Sequence, residues 1–142
     1  MTFICSTSRL GFLSVDHGVA LKPTHVISIV DDDEAVRESM GELIRSFGYV
    51  VATFSSAEEY LHSDHFHTTS CLVTDVQMPG MTGVDLQERL IACGCKTRII
   101  FMTAYRNEKL RTRAMSSGAI GFLHKPFSDG CLIACLDKAL QA

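Results

Sequence analysis

No stretch of the 142 residues is apolar for long enough to cross a bilayer as a helix. Basic residues form no run, and the formal net charge is only −3, so the chain offers no electrostatic footprint for nucleic acid. The segment from Met1 to Lys22 lacks a basic leader region. Ser, Thr, Arg9 and Asp16 break up its apolar residues, which argues against a secretory signal. Cys5, Cys71, Cys93, Cys95, Cys131 and Cys135 show no paired framework, so a disulfide-stapled scaffold is not expected, and free buried thiols acting as small hydrophobes are. Low-complexity tracts and internal repeats are also missing. These absences together lead us to expect a cytoplasmic protein.

What remains is a chain of 46% hydrophobic residues, enough for one domain with a genuine core. Residues 1–24 read as an extension of unknown role, closed by Lys22-Pro23-Thr24, and residues 25–142 as the domain. Within the domain, strand and helix patterns alternate. Val26 to Val30 is a β-branched run suited to a strand buried on both faces. Val36, Met40, Leu43, Ile44 and Phe47 follow at helical spacing, with Gly48 as the stop. Tyr49 to Phe54 reads as a second strand, and Ser55-Ser56-Ala57-Glu58-Glu59 holds two overlapping capping boxes that should open a helix. A His-rich loop, His62 to His67, precedes the third strand, Cys71 to Asp75. Arg98 to Met102 and Ala119 to Leu123 complete five strands, each followed by a helical pattern. Five βα units imply an α/β domain with a parallel sheet covered by helices on both faces.

The strand ends carry the chemistry. Asp31, Asp32 and Asp33 follow the first strand, Asp75 ends the third, Thr103 follows the fourth, and Lys125-Pro126 follows the fifth. In an open parallel sheet these ends face one crevice. Clustered carboxylates with one hydroxyl and one ammonium suit a divalent cation together with a phosphoryl group. Any one of these residues alone would read as a turn Asp, a structural Thr or a solvated Lys.

Val30-Asp31-Asp32-Asp33-Glu34, Thr74-Asp75-Val76-Gln77-Met78-Pro79, Met102-Thr103-Ala104 and Lys125-Pro126-Phe127 occur in this order, and together they resemble the signature segments of response-regulator receiver domains. The resemblance covers about residues 25 to 142. Its wording is most similar to the nitrogen-fixation regulator branch, whose members commonly join a receiver to a LuxR-type DNA-binding domain. It implies a doubly wound, flavodoxin-like (βα)5 fold with strand order 2-1-3-4-5. It further implies that Asp75 is the phosphoacceptor, attacking a phosphohistidine to form an acyl phosphate. Asp31, Asp32, Asp75 and the main-chain carbonyl of Gln77 would hold Mg²⁺, with Asp32 the direct ligand and Asp31 direct or through water. Thr103 and Lys125 would contact phosphoryl oxygens, and the Lys125–Pro126 bond would be cis. Asp33 fits better as the cap of the first helix. Gln77 and Tyr105 occupy positions that tune hydrolysis. Thr103 and Phe122 form the switch pair, with the alternative that Phe122 is a plain core residue.

The resemblance also implies partners: a sensor histidine kinase or phosphotransfer protein, and a phosphorylation-dependent homodimer through the fourth helix, fifth strand and fifth helix. Neither membrane nor direct nucleic-acid binding is expected, DNA being reached only through an effector domain that these residues do not contain. The chain would be a signalling domain that labels and unlabels itself, not a turnover enzyme. Whether it stands alone or belongs to a longer regulator is open. Three rival readings are weaker. Cys93-Gly94-Cys95, the pair Cys131 and Cys135, and His62, His65 and His67 could bind metal, but no standard zinc spacing joins them. A flavin module would need a phosphate-cradling loop where the three acids lie. A non-phosphorylated interaction module has no reason to keep every chemical group.

Overall fold

The computed structural model describes residues 25–141, so the proposed extension at residues 1–24, with Cys5, lies outside the described residues. Five strands alternate with five helices: β1 (Val26–Val30), α1 (Glu34–Ser46), β2 (Val50–Phe54), α2 (Ala57–His62), β3 (Cys71–Asp75), α3 (Gly83–Ala92), β4 (Arg98–Thr103), α4 (Glu108–Ser116), β5 (Gly121–His124) and α5 (Asp129–Leu140). All strand pairs are parallel, in the order β2-β1-β3-β4-β5, which is the flavodoxin-like 2-1-3-4-5 arrangement expected from the sequence. The His-rich loop is not irregular: Asp64–His67 forms a 3₁₀ turn.

Period-two alternation along the strands splits the interior into two layers. Ile27, Ile29, Val73, Ile100 and Met102 point toward α1 and α5, where they meet Met40, Ile44, Leu132 and Leu136. Val30, Leu72, Ile99 and Phe101 point the other way, against Tyr60, Leu86, Leu90 and Ala114. The expectation of buried thiols holds for Cys71 but fails for Cys93 and Cys131, which are exposed. The reason is positional: Cys93 caps the end of α3, and Cys131 faces outward in the first turn of α5. Among the described residues no helix is long and apolar enough to cross a membrane.

Local capping follows the sequence closely. Asp33 caps α1 by accepting from the Val36 N–H at 3.2 Å. The overlapping boxes before α2 resolve unequally. Ser56 accepts from the Glu59 N–H, and Glu59 reaches back to the N–H and hydroxyl of Ser55. The Glu58 side chain reaches out from the first turn of α2 and accepts from the Met81 N–H at 3.0 Å, tying α2 to the loop after β3. The buried Gln87 side chain donates to the Ala114 carbonyl at 3.1 Å, joining α3 to the last turn of α4. The Arg113–Glu88 ion pair spans the same two helices.

Gly83 opens α3 in direct contact with the strand end that carries Asp75. A Cβ at this position would lie 2.3 Å from the Asp75 carbonyl oxygen, which is backbone and cannot swing aside. Gly83→Ala is therefore expected to cost about 1–3 kcal/mol of stability, the usual range for overpacking. Denaturant unfolding of both proteins measures the difference.

Candidate functional site

Strand register builds the site. Val30 lies opposite Thr74, so the next residues, Asp31 and Asp75, emerge side by side. Asp75 lies opposite Met102, which places Thr103 one step further out, and Thr103 lies opposite His124, with Lys125 next in line. Hydrogen bonds carry the ladder past the strand ends: Asp31 N–H to the Phe54 carbonyl at 3.1 Å, Val76 N–H to Met102 at 2.9 Å, and Lys125 N–H to Thr103 at 2.7 Å. The site therefore stands on hydrogen-bonded extensions of the sheet, and the Lys125–Pro126 bond beside it is cis.

Asp31 is fully buried, Asp75 is 7% exposed, and Asp32 is exposed beside them. One carboxylate oxygen from each lies within 4.8 Å of the others. The Lys125 ammonium sits 3.0 Å from Asp31 Oδ2 and 3.6 Å from Asp75 Oδ2, so one cation serves two acids. The second oxygen of Asp31 accepts from the Asp33 N–H at 2.9 Å, and its backbone carbonyl accepts from the Arg37 guanidinium at 2.7 Å. The Gln77 N–H leans toward Asp75 Oδ1 at 3.4 Å, which turns the loop back over the acid.

Burial raises the Asp75 carboxyl above its ordinary range. Asp31 and Asp32 add to the rise, and Lys125 and the Gln77 N–H oppose it without cancelling it. Burial alone would lower Lys125, but Asp31 and Asp75 together hold the ammonium above its ordinary value. The site thus has more negative charge than one lysine neutralises. Its donors are all hard oxygens, and the partly open Asp32 side leaves room for retained waters. That set fits a small divalent cation. Among the described residues, these three acids are the group of Asp, Glu, His or Cys side chains whose ligand atoms converge, and the thiols and imidazoles form no comparable group.

Thr103 is buried at the rim, and its hydroxyl is engaged in its own loop, donating to the Tyr105 carbonyl and accepting from the Tyr105 N–H, both at 3.1 Å. A cavity of about 100 Å³ lies beside it, lined by Phe122, His124 and the start of α4. Phe122 is only half-buried and tilts against Phe101 at 5.9 Å. Gln77 and Tyr105 are both exposed. The sequence reading missed two supports. Arg37 stands four residues after Asp33 on α1, a spacing that could have flagged it as facing the acid turn. Glu58 reaches Met81 across 23 residues, with no local signal.

Residues 27–137 match the family described as "Response regulator receiver domain". The chain belongs to this receiver-domain family. Among similar proteins, the transcriptional regulatory protein FixJ of Azorhizobium caulinodans is 42% identical over 118 residues, which is 83% of this chain and 54% of that protein. Nodulation protein W of Bradyrhizobium diazoefficiens is 42% identical over 116 residues, 82% of this chain and 51% of that protein. The receiver therefore spans about half the length of these curated relatives. Among solved structures, FixJ-N superposes with a TM-score of 0.76 at 31% identity, covering 84% of this chain and 96% of that one. The response regulator StyR gives 0.78 at 40% identity, covering 84% and 60%.

The raised Asp75 carboxyl has a measurable consequence for the metal-free receiver. Its folded-state value lies above the unfolded one, so ionised Asp75 lowers stability once pH rises through the folded value, and the cost disappears below the unfolded value. In a chelator at neutral pH, Asp75→Asn is expected to melt a few degrees higher than wild type, with the gap closing as pH falls below the ordinary carboxylate range. Thermal melts across that pH range check this.

Proposed function

We propose that this receiver accepts a phosphoryl group on Asp75 from the phosphohistidine of a partner kinase or phosphotransfer protein, in a Mg²⁺-dependent reaction, and passes the change to an output surface. The observation that carries this reading is the shared ammonium: Lys125 lies between two carboxylates, one of which stands at the mouth of the site with Asp32 beside it. An Asp75 oxygen attacks phosphorus, the P–N bond breaks, and the electron pair leaves with the imidazole, which takes up a proton. Asp31, Asp32 and Asp75 would hold the ion, with the Gln77 carbonyl as the further ligand that the family resemblance implies. When bound, magnesium supplies positive charge to offset the crowded carboxylates and the phosphoryl oxygens. Lys125 then turns from Asp75 to a phosphoryl oxygen, keeping its bond to Asp31 as the hinge of that turn. Hydrolysis later returns the carboxylate. The domain is labelled once per signal and is not a turnover enzyme.

Thr103 gives up its bond to Tyr105 when phosphoryl oxygens offer a stronger acceptor. That movement enlarges the small cavity beside it, and Phe122 lines that cavity. This placement supports the switch reading over that of a plain core phenylalanine. The α4–β5–α5 face then changes shape and pairs with a second copy. The proposed setting is the cytoplasm. Any action on DNA would run through a separate effector domain; the similar protein FixJ is named as a transcriptional regulatory protein.

Incubation with a small phosphodonor and Mg²⁺ is expected to give a phosphate-sized mass gain in wild type and none in Asp75→Asn. Lys125→Ala is expected to slow labelling about a hundredfold, as loss of a charge-stabilising donor does. In the same assay, substitutions at Gln77 or Tyr105 should change the lifetime of the label more than the affinity for Mg²⁺, and equal lifetimes in all three proteins would count against their tuning role. Sedimentation with a phosphoryl mimic is expected to show a doubled mass. A mass that stays put would reject the dimer while leaving phosphorylation intact.

A further inference from the structure

The opposite end of the sheet holds a second concave site that phosphorylation does not use. A cleft of about 750 Å³ opens where the chain enters β1, β3 and β4, bounded by the 3₁₀ turn after α2, the end of α3 and Leu140 of α5. A five-residue strand is about 16 Å long, so the sheet separates this cleft from Asp75. Its volume falls in the range of small-molecule sites.

The lining is one-sided in charge. Lys96 and Arg98 supply two cationic heads, His25 and His67 supply imidazole nitrogens, and among the described residues no carboxylate lines the cleft. Arg98 is half-buried at the first position of β4, and among the described residues it has no acidic partner within ion-pair distance. The thiol of Cys71, opposite Arg98 in the sheet, does not act as its counter-ion. Burial pushes that thiol up to about 12, so it stays neutral although Arg98 pulls it down. Two cations in one concave lining, with no acid beside them among the described residues, suit an anionic ligand. Beside the cations, the Phe66 and His67 rings lie with centroids 3.9 Å apart and planes tilted by 38°, so Phe66 offers an aromatic face next to a polar imidazole. The same cleft contains Cys93 and Cys95, but their sulfurs and the imidazole nitrogens do not converge as a metal site would require, and two cations beside them oppose a third.

We propose that this basal cleft binds a small organic phosphate, with its anionic group on Lys96 and Arg98 and its ring or carbon skeleton against Phe66 and His67. A guanidinium fork and an ammonium suit a phosphate's several oxygens. A space this large exceeds what inorganic phosphate alone would fill.

The test is calorimetric titration of the full chain with inorganic phosphate, pyrophosphate and adenosine monophosphate, in a chelator so that the acidic site carries no cation. One saturable equivalent is expected. Adenosine monophosphate binding more tightly than phosphate is the expected result, and equal binding of the two overturns the contact of the organic part with Phe66 and His67. Lys96→Gln, an exposed change that leaves the core untouched, should weaken binding about tenfold, and Arg98→Gln by at least as much. Labelling of Asp75 by a phosphodonor should be unchanged in Lys96→Gln. No saturable binding by any of the three probes overturns the proposal, as does binding that keeps its affinity in both variants.

Discussion

Everything at the carboxyl end of the sheet depends on one ammonium shared by two carboxylates. Asp31 and Asp75 are forced together by register, and both are largely removed from water. Two such acids repel, and burial penalises their charge further. Lys125 relieves part of this, at 3.0 Å from one and 3.6 Å from the other, and leaves Asp75 the less satisfied of the pair. The asymmetry matters. Asp31 is held by Lys125 and by the Asp33 N–H, whereas Asp75 has only the longer ammonium contact and a 3.4 Å approach from the Gln77 N–H. The acid proposed to react is thus the one the protein holds less tightly.

The sheet makes this possible by placing acids at the ends of central strands whose interiors are mostly apolar. The four other buried positions of β3 anchor Asp75, and continued backbone bonding beyond the strand ends fixes Asp31, Val76 and Lys125. Gly83 lets α3 begin almost on top of the Asp75 carbonyl, which closes one side of the site. Glu58 pins the intervening loop from outside through Met81.

Much of this was legible in the sequence. The β-branched runs ending in Asp31 and Asp75 announced both the strands and their cargo, because a parallel sheet buries strand interiors and collects their ends. The caps at Asp33 and Ser56 were legible because they are local, involving partners three residues away. The unread parts are contacts between distant segments. The Tyr60 hydroxyl meets Thr69, which also meets Ser28, so a polar chain crosses a core that hydrophobicity alone would render uniform. Glu58 looked like a capping residue and instead bridges to Met81. The exposure of Cys93 and Cys131 was misjudged because cysteine's general preference for burial says nothing about which helical face a given residue occupies. The basal cleft unites His25, His67, Lys96 and Arg98 from three separate segments, and no spacing along the chain ties them together.

The Gln87–Ala114 bond has a mechanical implication. It clamps the heel of α4 to α3 inside the protein, and Arg113 with Glu88 repeats the clamp at the surface. The toe of the same helix, at Asn107 and Glu108, borders the small cavity beside Thr103. A helix fastened at one end and adjoining empty space at the other can pivot but not slide. Rearrangement at the rim would therefore tilt α4 about Ala114, with the displacement greatest beside Thr103 and fading toward the basal pole.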